Sequence, residues 1–189
     1  RLALTRESVA KTLLKLGYIT AVDFHVDNQH NSQYGDLDWT KTFLPETQPK
    51  AYVAYQGDSE YAFLIPVDVS VSSSDAIELQ VERLWQALRF KEIDLHPNML
   101  QLVHPDLSYK SFTLENGILT FDFQTEWLSA YESDSNLFKA FIESIVYTFT
   151  TIEGVDAVAF HSGGIKAQGI HDISFDAPLR PNAYINLEP

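Results

Sequence analysis

Residues 7–25 read ESVAKTLLKLGYITAVDFH, and residues 143–161 read ESIVYTFTTIEGVDAVAFH. At a fixed spacing of 136 the two stretches align without a gap, and seven of the nineteen positions are identical: Glu7/Glu143, Ser8/Ser144, Thr12/Thr148, Ala21/Ala157, Val22/Val158, Phe24/Phe160 and His25/His161. Val9/Ile145, Leu13/Phe149, Leu16/Ile152 and Ile19/Val155 add conservative apolar pairs. Each stretch reads as an amphipathic helix, a short turn and an alternating strand. Self-similarity at one register indicates a duplicated building block. The later copy has a long segment before its helix, whereas the earlier one begins near residue 1. A helix and a strand do not close a core alone. Residues 1–48 are therefore expected to be the C-terminal half of a first module, and residues 49–189 a complete second one. Packing of the first half is expected to run through Leu13, Leu16, Val22 and Phe24. Its partner is expected to be a missing upstream half, the second module or a swapped chain.

The 189 residues hold 13 Lys and Arg against 26 Asp and Glu, a formal net charge of −13. Phosphate binding needs a basic face, so this balance argues against nucleic acid and against an anionic bilayer surface. Apolar residues make up 45% and charged residues 21%, enough to bury a core. The absence of cysteine excludes disulfides, thiolate metal sites and cysteine nucleophiles. No apolar run reaches the roughly 18 residues of a spanning helix. The chain starts at Arg1 rather than Met, which is read as a piece of something longer whose start could carry an export signal or anchor.

Thr5 suits an N-cap and Gly17 a stop for the first helix. Strands are expected over 19–26 and 37–44, with a polar loop over 27–36. The run PETQPK (45–50) has linker composition. Strands follow at 51–56 and 61–71, turned by Gly57-Asp58. Ile77, Val81, Leu84, Trp85 and Leu88 recur at helical spacing, so residues 75–90 form an amphipathic helix. Two His-Pro steps make 91–106 an irregular connector. Asn116-Gly117 between alternating runs marks a hairpin, 109–114 with 119–123. A helical turn over 125–131 leads to a helix that Ser135 caps, running to about Thr150. A strand then runs to His161, Gly163-Gly164 turns it, and 169–175 is expected to pair back. The order is β-β-α, β-β-α, β-β: an α+β fold with helices on a mostly antiparallel sheet.

The run NGILTFDFQTEW (116–127) resembles the sporulation and spore-germination domain, the GerM-like family, through Asn116-Gly117, Phe121-Asp122-Phe123 and Glu126-Trp127. The likeness continues through Ile145-Val146-Tyr147-Thr148-Phe149-Thr150, Val155-Asp156, Val158, Phe160 and Gly163-Gly164, and closes at Arg180 and Ile185-Asn186. Its strong part covers 112–161 and its weaker part 51–186. Phe149 stands where Leu is usual, and His161-Ser162 replaces an apolar-acidic approach to the glycines. Tandem domains are part of the family pattern, which fits the repeat. The resemblance implies a fold similar to small ring-building α/β modules. It also implies an extracytoplasmic protein, often a lipoprotein anchored at the surface or in the intermembrane space of a sporulating cell. It implies no enzymatic activity and supplies no catalytic, cofactor or metal residues.

Several residues invite a chemical reading. Thr148 could be a nucleophile, but like Thr12 it sits inside a helix, where bonding to the preceding turn is ordinary. His161, His171 and Asp172 could meet across a hairpin, yet no histidine pair has a ligand spacing. His25 and His161 recur as equivalent strand ends. Asp122 and Glu126 could suggest paired carboxylates, but Asp122 is better read as capping the turn at 124–127. Gly163-Gly164 lacks the lysine and spacing of a phosphate loop. Tyr52, Tyr55, Tyr61 and Tyr109 could form a row on the sheet that contacts protein or glycan. No catalytic, cofactor or metal residue is assigned.

The expected function is a non-enzymatic envelope scaffold whose partners are envelope or sporulation-complex proteins or its own copies. No nucleic acid is expected, and membrane contact only through an N-terminal anchor. Binding of cell-wall glycan, or action on peptidoglycan as an enzyme, are the alternatives. A concave pocket with convergent titratable groups would favour an enzyme.

Overall fold

A computed structural model of the chain describes residues 2–14, 19, 21–25, 33–34, 37–38, 42–43, 48–56, 62–89, 98–183 and 185–186. Residues 1–47 and 48–189 form two compact units.

In the first unit, helix α1 (Leu2–Leu14) is followed by a two-residue hairpin, β1 (Gln33–Tyr34) against β2 (Leu37–Asp38). Ala10, Val22 and Phe43 form its small core, with Leu13, Leu14, Ile19 and Phe24 packed around them. The ring of Phe24 meets Phe43 edge-on at 5.8 Å, and the Arg6 guanidinium lies 5.1 Å from the Phe43 ring centre. Three of the four anticipated packing residues are thus in place, and Leu16 lies outside the described residues. The strand expected over 19–26 is reduced, among the described residues, to one bridge between Val22 and Phe43. The Gly17 stop, most of the 27–36 loop and Pro45 to Thr47 also lie outside them.

The second unit is α+β, with helices on two mostly antiparallel sheets. Strand β3 (Lys50–Tyr55) pairs antiparallel with β4 (Phe63–Asp68) and, at Ala54 and Tyr55 only, with β5 (Met99–Leu100). Pro66 sits opposite Tyr52 on the edge strand β4, where its missing N–H breaks no ladder. Helix α2 (Ile77–Arg89) buries the stripe Val81, Leu84, Trp85 and Leu88.

The second sheet runs β6 (Tyr109–Glu115), β7 (Ile118–Phe123), β8 (Ala157–Ser162) and β9 (Ile165–Lys166). Asn116 (φ 52°) and Gly117 (φ 77°) make the tight turn between β6 and β7. A Cβ on Gly117 would stand 2.7 Å from the Asp156 carboxylate, so shape and backbone angle both demand glycine there. Strands β7 and β8 are parallel, joined through a short 3₁₀ turn (Trp127–Tyr131) and helix α3 (Ser135–Phe149).

The structure corrects four local expectations. There are two sheets rather than one, with one parallel pair. The connector 91–106 contributes β5 at its described end. The residue capping α3 is Asp134, whose side chain accepts from Leu137 N, not Ser135. Residues 169–175 do not form a strand; β9 pairs with β8 instead, and Ile173 N closes a turn on Ile170 O. Asp134→Ala is expected to lower stability by about 1 kcal/mol through loss of that cap, read by urea denaturation. An unchanged midpoint would contradict the cap.

The repeat reaches beyond the stretch where identity shows it. Val22 and Phe43 exchange both backbone hydrogen bonds, at 2.8 and 2.9 Å, and Val158 and Leu179 do the same at 2.8 and 2.7 Å. The two bridges stand at the same spacing of 136 as the aligned helices.

Candidate interaction site

Helix α3 lies against β3 and β8, and together with the turn after it presents three hydroxyls to the β3 backbone. Ser144 Oγ donates to Tyr52 O at 2.6 Å, and Thr148 Oγ1 accepts from Tyr52 N at 2.8 Å. Thr151, just past the helix end, accepts from Lys50 N at 3.0 Å and lies 3.3 Å from Lys50 O. Among the described residues, strand β5 pairs with that edge at Ala54 and Tyr55 and no strand continues the ladder beyond them. The hydroxyls stand where a strand's backbone would, and bond the part-buried backbone of Lys50 and Tyr52. Thr148 is therefore structural, as its place in a helix suggested, but through Tyr52 rather than the preceding turn. Thr12 does bond back, to Ser8 O at 2.8 Å. The missed signal was a polar line, Ser144–Thr148, continued past the helix end by Thr151, on a helix that is otherwise apolar on its buried side.

Of the remaining candidates, Asp122 and His171 are engaged in the fold. Asp122 Oδ1 accepts from Gly164 N at 2.7 Å, so it fixes the β8–β9 turn rather than capping residues 124–127. Glu126 precedes the 3₁₀ turn, and its side chain makes no capping bond. His171 Nε2 lies 3.1 Å from Tyr131 O, while His161 sits on β8 opposite Lys166. Among the described residues, no three His, Asp or Glu side chains come together to hold a metal ion.

An open cavity of about 210 Å³ lies beside the 3₁₀ turn, lined by His104, Asp106, Ser108, Gln124, Glu126 and Trp127 among others. His104 Nδ1 accepts from Asp106 N at 3.3 Å, and Ser129 Oγ donates to Glu126 O at 2.7 Å. The loop behind it is pinned by Tyr131, whose buried hydroxyl donates to Leu102 O and accepts from His104 N. Burial pushes that phenol well above its ordinary value.

The tyrosines do not make a row. Tyr52 lies 5.5 Å from Tyr147, Tyr55 accepts from Asn98, and Tyr109 belongs to the other sheet. Tyr109 packs edge-on against Trp85 and donates to Glu82 at 2.9 Å. Burial, and then Glu82, raise its pKa. Tyr61 lies outside the described residues.

Near Tyr147, burial raises the Glu143 carboxyl above its ordinary 4.5, against the pull of Lys139. Burial, then Glu143 and Tyr52, raise Tyr147, whose hydroxyl donates to Asn182 O. A carboxyl whose folded pKa is raised favours folding when protonated, and that contribution is lost as pH rises through the folded value. Glu143→Gln is therefore expected to gain stability relative to the native protein between pH 4 and pH 7. Thermal midpoints of both proteins across that range check it, and a relative loss would contradict the burial of Glu143.

Residues 50–168, well over half of the chain, match the Germane family, described as sporulation and spore germination. No curated protein matches. Among solved structures, the tandem GerMN domains of the sporulation protein GerM from Bacillus subtilis are similar, with 16% identity and a TM-score of 0.54 over 74% of this chain and 47% of that one. The chain thus spans just under half the length of that structure. The first GerMN domain of the same protein matches at 13% identity and a TM-score of 0.48, over 71% of this chain and 94% of that one. A candidate lipoprotein from Clostridium perfringens matches at 15% identity and a TM-score of 0.47, over 69% of this chain and 85% of that one. At 16% identity the likeness to the tandem domains is one of fold. The family match and the motifs around Asn116-Gly117 and Glu126-Trp127 agree, and the chain belongs to the Germane family of sporulation and spore-germination domains.

Proposed function

We propose that the chain is a non-enzymatic interaction and scaffold module of the bacterial cell envelope. It joins neighbouring envelope or sporulation-complex proteins, or further copies of itself. In this reading residues 1–48 are the C-terminal half of a first module and residues 49–189 a complete second one. The protein works outside the cytoplasm, held to the membrane by an N-terminal anchor. Among the described residues no helix is long and apolar enough to cross a membrane.

One observation carries the reading. The groups that could do chemistry are bonded into the framework: Thr148 and Ser144 hold Tyr52, Asp122 holds Gly164, and His104 accepts from Asp106 N. A nucleophile needs a base in reach and a site for the developing oxyanion, whereas in the cavity at His104 and Glu126 the Ser129 hydroxyl donates to the Glu126 carbonyl. Family membership supports the same reading.

Affinity capture with the tagged full-length protein from sporulating cells tests it. Discrete envelope proteins are expected in the bound fraction. Purified protein is expected to release no soluble fragments from peptidoglycan. Release that disappears when His104 or Glu126 is replaced would overturn the proposal in favour of an enzyme.

A further inference from the structure

Strand β4 is the outer edge of its sheet, and the tail of the chain is fastened along it. Among the described residues no strand lies beyond β4. Instead the side-chain amide of Asn186 makes a matched pair of bonds with one residue of that edge. Leu64 N donates to Asn186 Oδ1 at 2.7 Å, and Asn186 Nδ2 donates to Leu64 O at 2.8 Å. A carboxamide offers an acceptor and a donor side by side, as the backbone of a neighbouring strand does. The two partners lie 122 positions apart, so the contact ties the tail across the fold. Asn186 has φ 58°, a left-handed backbone that asparagine accepts more readily than most residues. The tail is anchored at three further points: Leu179 bridges Val158, Asn182 O accepts from the Tyr147 hydroxyl at 3.1 Å, and Ile185 packs on the core.

The same edge carries a second obstacle. The bonds to Asn186 show that the Leu64 N–H and C=O both turn away from β3. An antiparallel ladder alternates in twos, so the exposed Pro66 turns the same way. Proline has no N–H to offer an incoming strand. A row of unpaired N–H and C=O groups at a sheet edge invites pairing with another chain, and a covering segment or a proline removes the invitation. We propose that the tail, through Leu179, Asn182, Ile185 and Asn186, is a strap that keeps the β4 edge from pairing with β4 of a second copy, with the Asn186 carboxamide as its clasp. A copy is the competitor by symmetry. Across a two-fold axis the N–H and C=O of one Leu64 meet the C=O and N–H of the other, the same two bonds that the carboxamide supplies. The inference rests on the reading of the chain as a module that joins further copies of itself, and adds that this edge takes part only when the strap opens.

Asn186→Ala, Pro66→Thr and the double variant are prepared in the 189-residue chain. In dilute Asn186→Ala the Leu64 amide is expected to exchange about tenfold or more faster, with the β7 amides unchanged, because the loss is local. Self-association, measured by sedimentation velocity over a range of concentrations, is expected to strengthen in Asn186→Ala and to reach about tenfold or more over the native chain in the double variant. Where the double variant associates, Leu64 is expected to regain its protection. Pro66→Thr alone is expected to behave as the native chain, since the clasp stays shut. Unchanged exchange at Leu64 in Asn186→Ala overturns the proposal. So does faster exchange with no gain in association in the double variant, and so does association that leaves the Leu64 amide unprotected, because another surface then carries it.

Tyr147→Phe loosens the strap from its other end, by removing the donor to Asn182 O with Asn186 in place. It is expected to speed exchange at Leu64 in the same direction as Asn186→Ala, and by less. No change there means that the tail does not act as one strap and overturns the proposal even if Asn186→Ala should fail to fold. A native chain that stays monomeric at every concentration counts against the reading that it joins its own copies. The strap is decided separately, by what the substitutions do to Leu64 and to association.

Discussion

Replacing Phe121 by alanine is expected to destabilise the second unit by about 3–5 kcal/mol, the range for emptying a buried aromatic site. Phe121 is fully buried at the middle of β7. Its ring centre lies 4.7 Å from Phe149 on α3, 5.3 Å from Tyr109 and 6.3 Å from Phe112 on β6, and 5.9 Å from Trp85 on α2. One side chain thus ties both helices to the sheet. The ring cluster continues through Phe123 to Trp127 at 4.9 Å, and Trp127 packs on Phe141, Phe160 and Phe175. Close-packed walls relax only in part around a hole, so the loss exceeds simple transfer of the ring to water. Against a typical total of about 5–15 kcal/mol, this is a large share. Urea unfolding followed by tryptophan fluorescence reads it. A loss under about 1 kcal/mol would mean that Phe121 is not the hinge of this core. Phe112, half-buried at the edge of the same cluster, is expected to cost clearly less.

The parts of this fold that announced themselves in the sequence depend on neighbours close in the chain. The stripe Val81–Leu84–Trp85–Leu88 fixes α2 because burial of one helical face follows a local period. Asn116-Gly117 fixes a hairpin because few residues accept two successive positive φ angles. What stayed hidden depends on pairs far apart. Strand β5 is two residues long, and its ladder partners among the described residues are Ala54 and Tyr55, more than forty positions earlier. The division into two sheets and the parallel β7–β8 pairing are choices of sheet partner, which alternation along a strand does not encode. Asp122 reads locally as a turn cap, yet its partner is the Gly164 N–H across the sheet. The candidate site failed to show for the same reason, since Ser144 and Thr148 bond residues more than ninety positions away.

Thr148→Val tests that long-range contact without opening a cavity. The substitution keeps the branched shape and removes the acceptor of the part-buried Tyr52 N–H, at about 1–3 kcal/mol. The loss is expected to be specific in place: amide exchange at Tyr52 accelerates, while the β7 amides, bonded to β6 and β8, slow or quicken only with global stability. Ser144→Ala removes the donor to Tyr52 O and is expected to cost less, because a carbonyl with two lone pairs tolerates one missing partner better than an N–H with a single bond to make. The two substitutions touch one residue, so their effects are expected not to add. The same change in the first copy, Thr12→Val, is expected to fall within about 0.5 kcal/mol in the 189-residue chain, since that hydroxyl is exposed and bonds only its own helix. Equal losses at positions 12 and 148 would mean that helix propensity, not the strand seam, sets the worth of the threonine, and the seam would then be a by-product of packing.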